Sequence, residues 1–134
     1  MFLLAFRVNA WESQASDWTA LTLSRSGAWG VATDRLQAKA ITGAMGACRA
    51  MSPAAGDCGA LFKMRRGGWI IGKLCGWQNI VASGTTRKHA EQMAMLREID
   101  LRLHYFPGLP PCIKVVTVNP RGEVDGRNLA SSRN

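Results

Sequence analysis

The chain has 134 residues, 47 % of them hydrophobic, which fits one globular domain with a real core and excludes a largely disordered protein. Seventeen Lys and Arg residues against nine Asp and Glu residues give a formal net charge of +8, which attracts polyanions such as nucleic acid, anionic lipid or acidic glycans. The basic residues are spread along the chain, which favours the plainer interpretation that the charge keeps a secreted protein in solution.

Residues 1–17 show no clear periodicity, and we interpret them as an N-terminal segment or the remnant of a targeting region. The apolar run FLLAF is shorter than the roughly seven to fifteen residues of a signal peptide's hydrophobic part, and no basic stretch precedes it. No run in the chain approaches the roughly 18 apolar residues that span a membrane. The sequence therefore predicts neither a complete signal peptide nor a membrane-spanning helix.

The first half of the domain, residues 18–65, predicts a β-hairpin, a helix and a returning strand. Three runs rich in strand-forming residues are predicted as strands: 18–24, 28–33 and 58–65. The helix is predicted over residues 31–51 at its widest, with Thr33 or Asp34 as its N-cap. Its predicted buried stripe follows steps of three and four residues and comprises Ala38, Ile41, Met45, Cys48 and Met51.

The second half, residues 69–119, predicts the same series of elements. The strands are predicted at residues 69–75, 79–83 and 112–119. Residues 84–106 predict a long amphipathic helix, with Thr85 or Thr86 as its N-cap. Its predicted buried stripe comprises Met93, Leu96, Ile99, Leu103 and Phe106. Two i,i+4 ion pairs are expected on the opposite face: Arg87–Glu91 and Glu98–Arg102.

Both halves have the order β-β-α-β, which predicts an internal repeat. One alignment places Thr33 on Thr85, and another, shifted by two residues, places residues 31–33 on residues 81–83. Chance likeness between two ordinary hairpin–helix units is the alternative. Two such units predict an α+β fold with about six mainly antiparallel strands in one sheet and both helices packed on one face. A groove along the pseudo-twofold axis would be the natural binding place.

The chain has four cysteines: Cys48, Cys58, Cys75 and Cys112. None belongs to a C-x-x-C pair, which argues against zinc knuckles and thioredoxin chemistry. Two disulfides are the natural interpretation in an oxidising compartment, and four buried thiols are the alternative. Of the three possible pairings we favour Cys48–Cys58, which closes the short loop after the first helix, with Cys75–Cys112.

Five tryptophans are many for a chain of this length, and Trp and Arg are the residue types that most often anchor interfaces. A basic–aromatic patch near the hairpin turns is therefore the predicted binding surface. It comprises Trp29, Arg65, Arg66, Trp69 and Trp77. The alternative is that two or three of these rings fill the core beneath the hairpins.

The start of the second helix is the other candidate, because Arg87 and Lys88 lie in its first turn, where the helix dipole disfavours cations. Together with the backbone N–H groups of Thr85 and Thr86, these two side chains can hold an anion. The alternative is that both are solvated and that Arg87 pairs with Glu91.

The sequence carries no catalytic constellation. His89 and His104 are fifteen residues apart, roughly four helical turns, so they cannot share a metal ion. Glu98 and Asp100 fall on different helix faces and do not form a carboxylate pair. No phosphate-binding loop, dinucleotide-binding motif or nucleophile elbow is present. We therefore predict a domain that is not an enzyme and that needs no cofactor or metal.

The pattern W-x-A-L…G-x-W-G-V-A…C…C-G-A, followed by L-C-G and S-G-T-T-x-x-x-A-E, resembles the bacterial domain-of-unknown-function family 4189 from Trp18 to about Val118. Members are mostly small exported proteins of Gram-negative bacteria, sometimes fused to caspase-like peptidases. The resemblance implies a periplasmic or secreted, disulfide-bearing domain with no established enzymatic role. The chain departs from the family in lacking a Cys at the end of its second helix and a visible signal peptide.

Residues 84–94, with Arg87 and Lys88 followed by Ala90 and Glu91, are also similar to the start of the last helix of a double-stranded RNA-binding domain. That resemblance implies basic residues placed against phosphates across a groove. However, such a domain ends with this helix, whereas a strong strand is predicted to follow it here.

We therefore predict a single domain over residues 18–124 with a flexible tail at 125–134. Its predicted role is that of a small exported binding domain for a protein or an anionic envelope component. A cytoplasmic RNA-binding module that uses the start of the second helix is the alternative.

Overall fold

The structure, a computed structural model, describes residues 17–126. The predictions for residues 1–16 and for the tail beyond residue 126 lie outside the described residues. Within them the fold is α+β, as predicted. In chain order the elements are β1 (Trp18–Leu23), β2 (Trp29–Asp34), α1 (Gln37–Met51), β3 (Phe62–Arg66), β4 (Trp69–Cys75), β5 (Gln78–Gly84), α2 (Arg87–His104), β6 (Ile113–Val118) and β7 (Val124–Gly126).

The strands form two antiparallel sheets, whereas the sequence predicts one sheet of about six strands. The first sheet has the order β2-β1-β3 and the second has the order β5-β4-β6-β7. Between β3 and β4 the chain passes from one sheet to the other through Gly67 and Gly68, whose φ angles are 66° and 75°. Glycine adopts this left-handed backbone at little steric cost, so the two residues form the turn that separates the sheets.

The inner faces of the two sheets pack on each other. Successive side chains of a strand point to opposite faces, so Leu21 and Leu23 of β1 share one face. They pack against Ile70 and Leu74 of β4 in the core between the sheets. Apolar side chains of β6 complete this core: Val115, Val116 and Val118.

Each helix covers the outer face of its own sheet. Ala20 of β1 packs with Ala40 and Ala44 of α1, and Ile71 of β4 packs with Ala90 of α2. The layers are therefore α1, the first sheet, the second sheet and α2. The prediction that both helices pack on one face of a single sheet is therefore wrong. Each central strand is apolar on both faces, so one face packs against the other sheet and the opposite face packs against a helix.

The two halves have the same topology up to β6. In each half the first strand of the hairpin (β1 or β4) is flanked by two neighbours. The second hairpin strand (β2 or β5) lies on one side of it at the sheet edge, and the strand after the helix (β3 or β6) lies on its opposite side. The helices follow the alignment that places residues 31–33 on residues 81–83, a shift of fifty positions, since α1 begins at Gln37 and α2 begins at Arg87. Duplication of one ancestral unit stays a prediction.

Helix α1 is shorter than the widest predicted range, because residues 31–34 belong to β2. Its N-cap is Leu36, which makes no side-chain capping hydrogen bond, so neither Thr33 nor Asp34 is the N-cap. The Leu36 N–H donates instead to Oδ1 of Asp34 at 2.9 Å. This bond secures the turn that joins β2 to the helix.

Small residues form the buried face of α1: Ala40, Ala44 and Cys48. A Cβ atom on Gly30 of β2 would collide with the α1 backbone at Ala44 and Cys48, so the strand and the helix approach almost backbone to backbone. Only Cys48 of the predicted stripe is fully buried, whereas Ala38 is exposed. The others are half-buried: Ile41, Met45 and Met51.

Helix α2 is capped by Thr86, one of the two predicted residues, whose Oγ1 accepts a hydrogen bond from the His89 N–H at 3.0 Å. Its buried residues are Ala90, Ala94 and Leu101. The predicted stripe is wrong for four members, which are exposed: Met93, Leu96, Ile99 and Leu103. A Cβ on Gly84 would lie 2.5 Å from the Ala90 nitrogen, so the start of this helix also lies too close to its sheet for a large side chain beneath it.

Both predicted disulfides are present, Cys48–Cys58 and Cys75–Cys112, across 10 and 37 positions of sequence. No free cysteine occurs among the described residues. Each closed loop limits the unfolded chain, which stabilises the fold by about 2–4 kcal/mol. Disulfides persist in oxidising compartments, so they are consistent with an exported protein.

The short strand β7 changes the predicted boundary of the tail. Asp125 and Gly126 pair with Thr117 and Val116 of β6, so the chain is still part of the sheet at residues that the sequence assigns to a flexible tail. Neither described helix combines the length and the apolar character that a membrane span requires.

Candidate functional site

The predicted basic–aromatic patch is divided among separate places on the molecule. Trp69 lies on the outer face of the second sheet, with the Arg87 guanidinium carbon 5.9 Å from its ring centroid. A similar pair on the first sheet joins Arg66 to Trp18 at 4.7 Å. Because Trp18 packs on the side of α1, the two pairs face away from each other across the sandwich. Each is a cation–π contact worth about 0.5–1 kcal/mol at an exposed position.

The other members of the patch lie elsewhere. Trp77 is half exposed in the β4–β5 turn, at the opposite end of the second sheet, with its ring edge-on to Phe106 at 6.4 Å. Trp29 is partly buried against the core between the sheets. Arg65 lies against Gly68, and its Nε is buried without a hydrogen-bond partner among the described residues. The structure thus pairs Trp69 with Arg87 and does not assemble the whole patch.

The start of α2 uses much of its hydrogen-bonding capacity internally. The Thr85 N–H donates to Nδ1 of His89 at 3.4 Å, and the Thr86 hydroxyl is occupied as the cap. Arg87 makes the predicted ion pair with Glu91, with 3.5 Å between Nε and Oε1. Lys88 is exposed and makes no ion pair within the described part of the chain. The Thr85 N–H is therefore already used, which weakens the predicted anion site.

Glu91 ties α2 to the second sheet. Its carboxylate accepts a hydrogen bond from Nζ of Lys114 in β6 at 3.0 Å. This bond is the main cause that lowers the pKa of Glu91 below its ordinary value of 4.5, and the charges of Lys114 and Arg87 act in the same direction. The site is an exposed ion-pair network between a helix and a strand.

A concave site lies at the opposite end of the sandwich, between the two halves of the chain. The first half contributes the β1–β2 turn and the loop at residues 54–61, and the second half contributes the start of β5 and one side of α2. The cavity has a volume of about 680 Å³, which is in the range of small-molecule sites. Its lining residues include Leu23, Arg25, Asp57, Leu61, Asn79, Arg97 and Leu101.

Two arginines and one carboxylate set the charge of this cleft. The Asp57 carboxylate accepts a hydrogen bond from the backbone N–H of Arg25 at 2.8 Å, which ties the loop to the hairpin turn. The Arg25 side chain makes no ion pair within residues 17–126 and is exposed. Arg97 pairs with Asp100 on the surface of α2, at 3.0 Å. The cleft therefore presents a guanidinium group from each half of the chain.

Asn79 forms part of the wall and joins the two sheets. Its Nδ2 donates to the backbone oxygen of Leu23 at 2.8 Å. Its Oδ1 is buried and has no hydrogen-bond partner among the described residues. A buried acceptor without a donor is costly and is uncommon in proteins, so this atom marks a place where a donor group would be favourable.

The sequence did not point to these residues one by one. Arg25 and Arg97 are far apart along the chain, and each stands alone among residues without a binding motif. The repeat predicted only a groove between the halves, and the cleft lies between them. No local pattern identifies which side chains line such a groove, because the loop and helix that form it meet only in the folded chain.

One cluster has the composition of a metal site but not the chemistry. The sulfur atoms of Cys75 and Cys112 and a carboxylate oxygen of Glu98 lie within 4.8 Å of one another. Both sulfurs belong to one disulfide, so neither is a thiolate ligand. Glu98 is already paired with Arg102 of α2 and, at 3.8 Å, with Lys73 of β4.

In comparisons with known proteins, no family model, curated protein or solved structure matches this chain.

Proposed function

We propose that this chain is a small exported binding domain, without enzymatic activity, that holds an anionic component of the bacterial envelope in the cleft between its two halves. One observation carries the proposal: Arg25 and Arg97, contributed by different halves, line one cavity together with apolar residues such as Leu61. Guanidinium groups bind carboxylates and phosphates in bidentate geometry. An anionic ligand would therefore join the two halves at this point.

The shape of the cleft supports a ligand with both an acidic group and an apolar part. Ala54, Ala60 and Leu61 provide accessible apolar surface, while the arginines provide charge. Acyl-bearing phosphates and carboxylates of the cell envelope combine these features.

Two further observations support an exported protein that meets anions. Both pairs of cysteines form disulfides, which persist outside the reducing cytoplasm. The net charge of +8 draws anionic partners towards the domain over distances comparable to the Debye length. The basic–aromatic residues Arg66 and Arg87 then belong to the general positive surface and not to the specific site.

The test is a calorimetric titration with short-chain phosphatidic acid, and the uncharged diacylglycerol of the same chain length serves as the ligand control. We expect phosphatidic acid alone to bind, and the variant Arg25→Ala/Arg97→Ala to weaken binding at least about tenfold, because charge-assisted hydrogen bonds are lost. Arg49→Ala/Arg121→Ala removes the same two charges from exposed positions outside the cleft and should bind as the wild type does.

The alternative function predicts a different pattern in the same proteins. A cytoplasmic RNA-binding module would bind duplex RNA with a steep salt dependence, and Arg87→Ala/Lys88→Ala would abolish that binding. Equal binding of the charged and uncharged lipid, or binding that Arg25→Ala/Arg97→Ala leaves unchanged, would contradict the cleft proposal.

A further inference from the structure

The outward face of α2 carries a row of large apolar side chains that nothing in the described part of the chain covers. Leu96, Ile99 and Leu103 follow steps of three and four residues, which places them on one face of the helix. That face is opposite Ala90 and Ala94, which pack on the second sheet. The flanking methionines are exposed as well: Met93 and Met95. We call these five residues the α2 stripe.

The α2 stripe is larger than the scatter of exposed apolar residues that any surface has. Its members are exposed from 41 % for Met93 to 71 % for Leu103. Together they present roughly 500 Å² of contiguous apolar surface, at the upper end of what soluble monomers expose, and patches of this size commonly mark an interaction site. Single exposed leucines need no explanation, but five large apolar side chains on the exposed half of one helix do.

We infer that a second copy of this chain covers the α2 stripe, with the two α2 helices packed antiparallel about a twofold axis. A stripe with helical spacing fits the grooves of another helix, and a second copy presents the same stripe. An axis midway between Leu96 and Ile99 brings Leu96 against the partner's Ile99. It also brings Leu103 to the level of the partner's Gln92, so the apolar row is covered along its length.

Charge supports this occupant. The chain carries +8 overall, so most of its surface repels a second copy. Helix α2 is different, because its Lys and Arg residues number four (Arg87, Lys88, Arg97 and Arg102) against three acidic residues (Glu91, Glu98 and Asp100). Its net charge is therefore only +1, and two copies meet there with little repulsion.

The expected dimer is weak. Two stripes would bury on the order of 1,000 Å², which is the lower limit for specific interfaces. Dimerisation should therefore depend on concentration in the micromolar range. It leaves the cleft open, because Leu101 lines the cleft from the side of α2 that faces away from the stripe. The inference stands independently of the proposed ligand.

The test is sedimentation velocity of the oxidised full chain from about 1 to 500 µM, a range that spans weak interfaces of this size. We expect a monomer–dimer equilibrium in the wild type, and Leu103→Glu should raise the dimer dissociation constant at least about tenfold by placing an unpaired carboxylate in the apolar contact. Leu36→Glu is the matched control, since Leu36 is as exposed as Leu96 but lies at the start of α1, and it should dimerise as the wild type does.

Circular dichroism and a count of free thiols on the same samples establish that the variants are folded. A wild type that stays monomeric at the highest concentration overturns the inference. A dimer that Leu103→Glu leaves intact overturns it too, because the contact would then lie elsewhere.

Discussion

Glu98 stands in the second half of the chain where Cys48 stands in the first. Each follows, by four residues, the second buried alanine of its helix, Ala94 or Ala44. Cys48 is bonded to Cys58 before β3, and Glu98 lies within 4.8 Å of Cys112 before β6. The helix is thus joined to the returning strand by a disulfide in one half and approaches it through a charged residue in the other.

Glu98 should therefore be more important for stability than other acidic residues of α2. It is mostly buried and pairs with both Arg102 and Lys73, so Glu98→Gln leaves two cations poorly compensated. We expect the free energy of unfolding to fall by about 1–2 kcal/mol in urea titrations. Asp100→Asn removes a more exposed acid of the same helix and should cost under about 0.5 kcal/mol. Equal effects of the two substitutions would contradict this role.

Close helix packing predicts opposite effects for two glycines of the first half. Gly30→Ala puts a methyl group into the α1 backbone and should lower the free energy of unfolding by about 3 kcal/mol or more. Gly46 lies on α1, and apart from its chain neighbours and the helix's own backbone no described atom comes within 4 Å of an added methyl group. Gly46→Ala should therefore raise the free energy of unfolding by up to about 1 kcal/mol. Thermal and urea unfolding of both variants measure these changes in the free energy of unfolding. A Gly30→Ala protein as stable as the wild type would mean that strand and helix lie further apart.

The two disulfides should differ in their effect on stability. The Cys75–Cys112 bond spans 37 positions and the Cys48–Cys58 bond spans 10, so the first restricts the unfolded chain more. Cys75→Ser/Cys112→Ser should therefore cost about 1 kcal/mol more than Cys48→Ser/Cys58→Ser in chemical denaturation. A larger cost for Cys48→Ser/Cys58→Ser would contradict this order and would show that local contacts, not loop entropy, determine how much each disulfide stabilises the fold.

The Glu91–Lys114 contact should give a small acid-dependent term in stability. The pKa of Glu91 is lowered in the folded state, so its contribution is present above the ordinary value of 4.5 and is lost as the pH falls through the lower folded value. Lys114→Met removes the main cause of the shift. The difference in the free energy of unfolding between the wild type and Lys114→Met, measured by urea titration, should be present at about pH 6 and shrink below pH 4.5. A difference that does not change with pH would contradict this prediction.

Much of the fold followed from local signals in the sequence. Both hairpins and both helices are predicted, because turn glycines and strand-forming residues act over short distances. The Cys48–Cys58 pairing follows from the short loop that it closes, and Cys75–Cys112 is the pairing that remains. Thr86 was one of two predicted caps for the same reason. The split into two sheets was not predicted, since it depends on Leu21 and Ile70 meeting across the core while Ala20 and Ile71 each face a helix.

The buried faces of the helices were predicted poorly for a single physical reason. Periodicity assigns the largest apolar residues to the core, and in α2 it selected Leu96 and Leu103. The helices lie so close to their sheets that mainly alanine and cysteine fit beneath them, and the large residues face outward. Gly30 and Gly84 are the sequence signal of this close approach, but glycine alone does not reveal which backbone comes near it.

The candidate site was predicted least well. The tryptophans and arginines that the sequence singled out are dispersed over several surfaces. The cleft depends instead on Arg25, Asn79 and Arg97, which come together through the stacking of two sheets. A site built between two halves has no local sequence pattern, so its residues follow only from the folded structure.

The most direct measurement of the central claim is an amide NMR titration of the oxidised protein with short-chain phosphatidic acid. We expect the largest shifts at the backbone amides of Arg25, Asp57, Asn79 and Arg97, and their loss in Arg25→Ala/Arg97→Ala. Shifts that centre on Arg87 and Lys88 instead, or none at concentrations that saturate the calorimetric titration, would contradict an anion-binding cleft between the two halves.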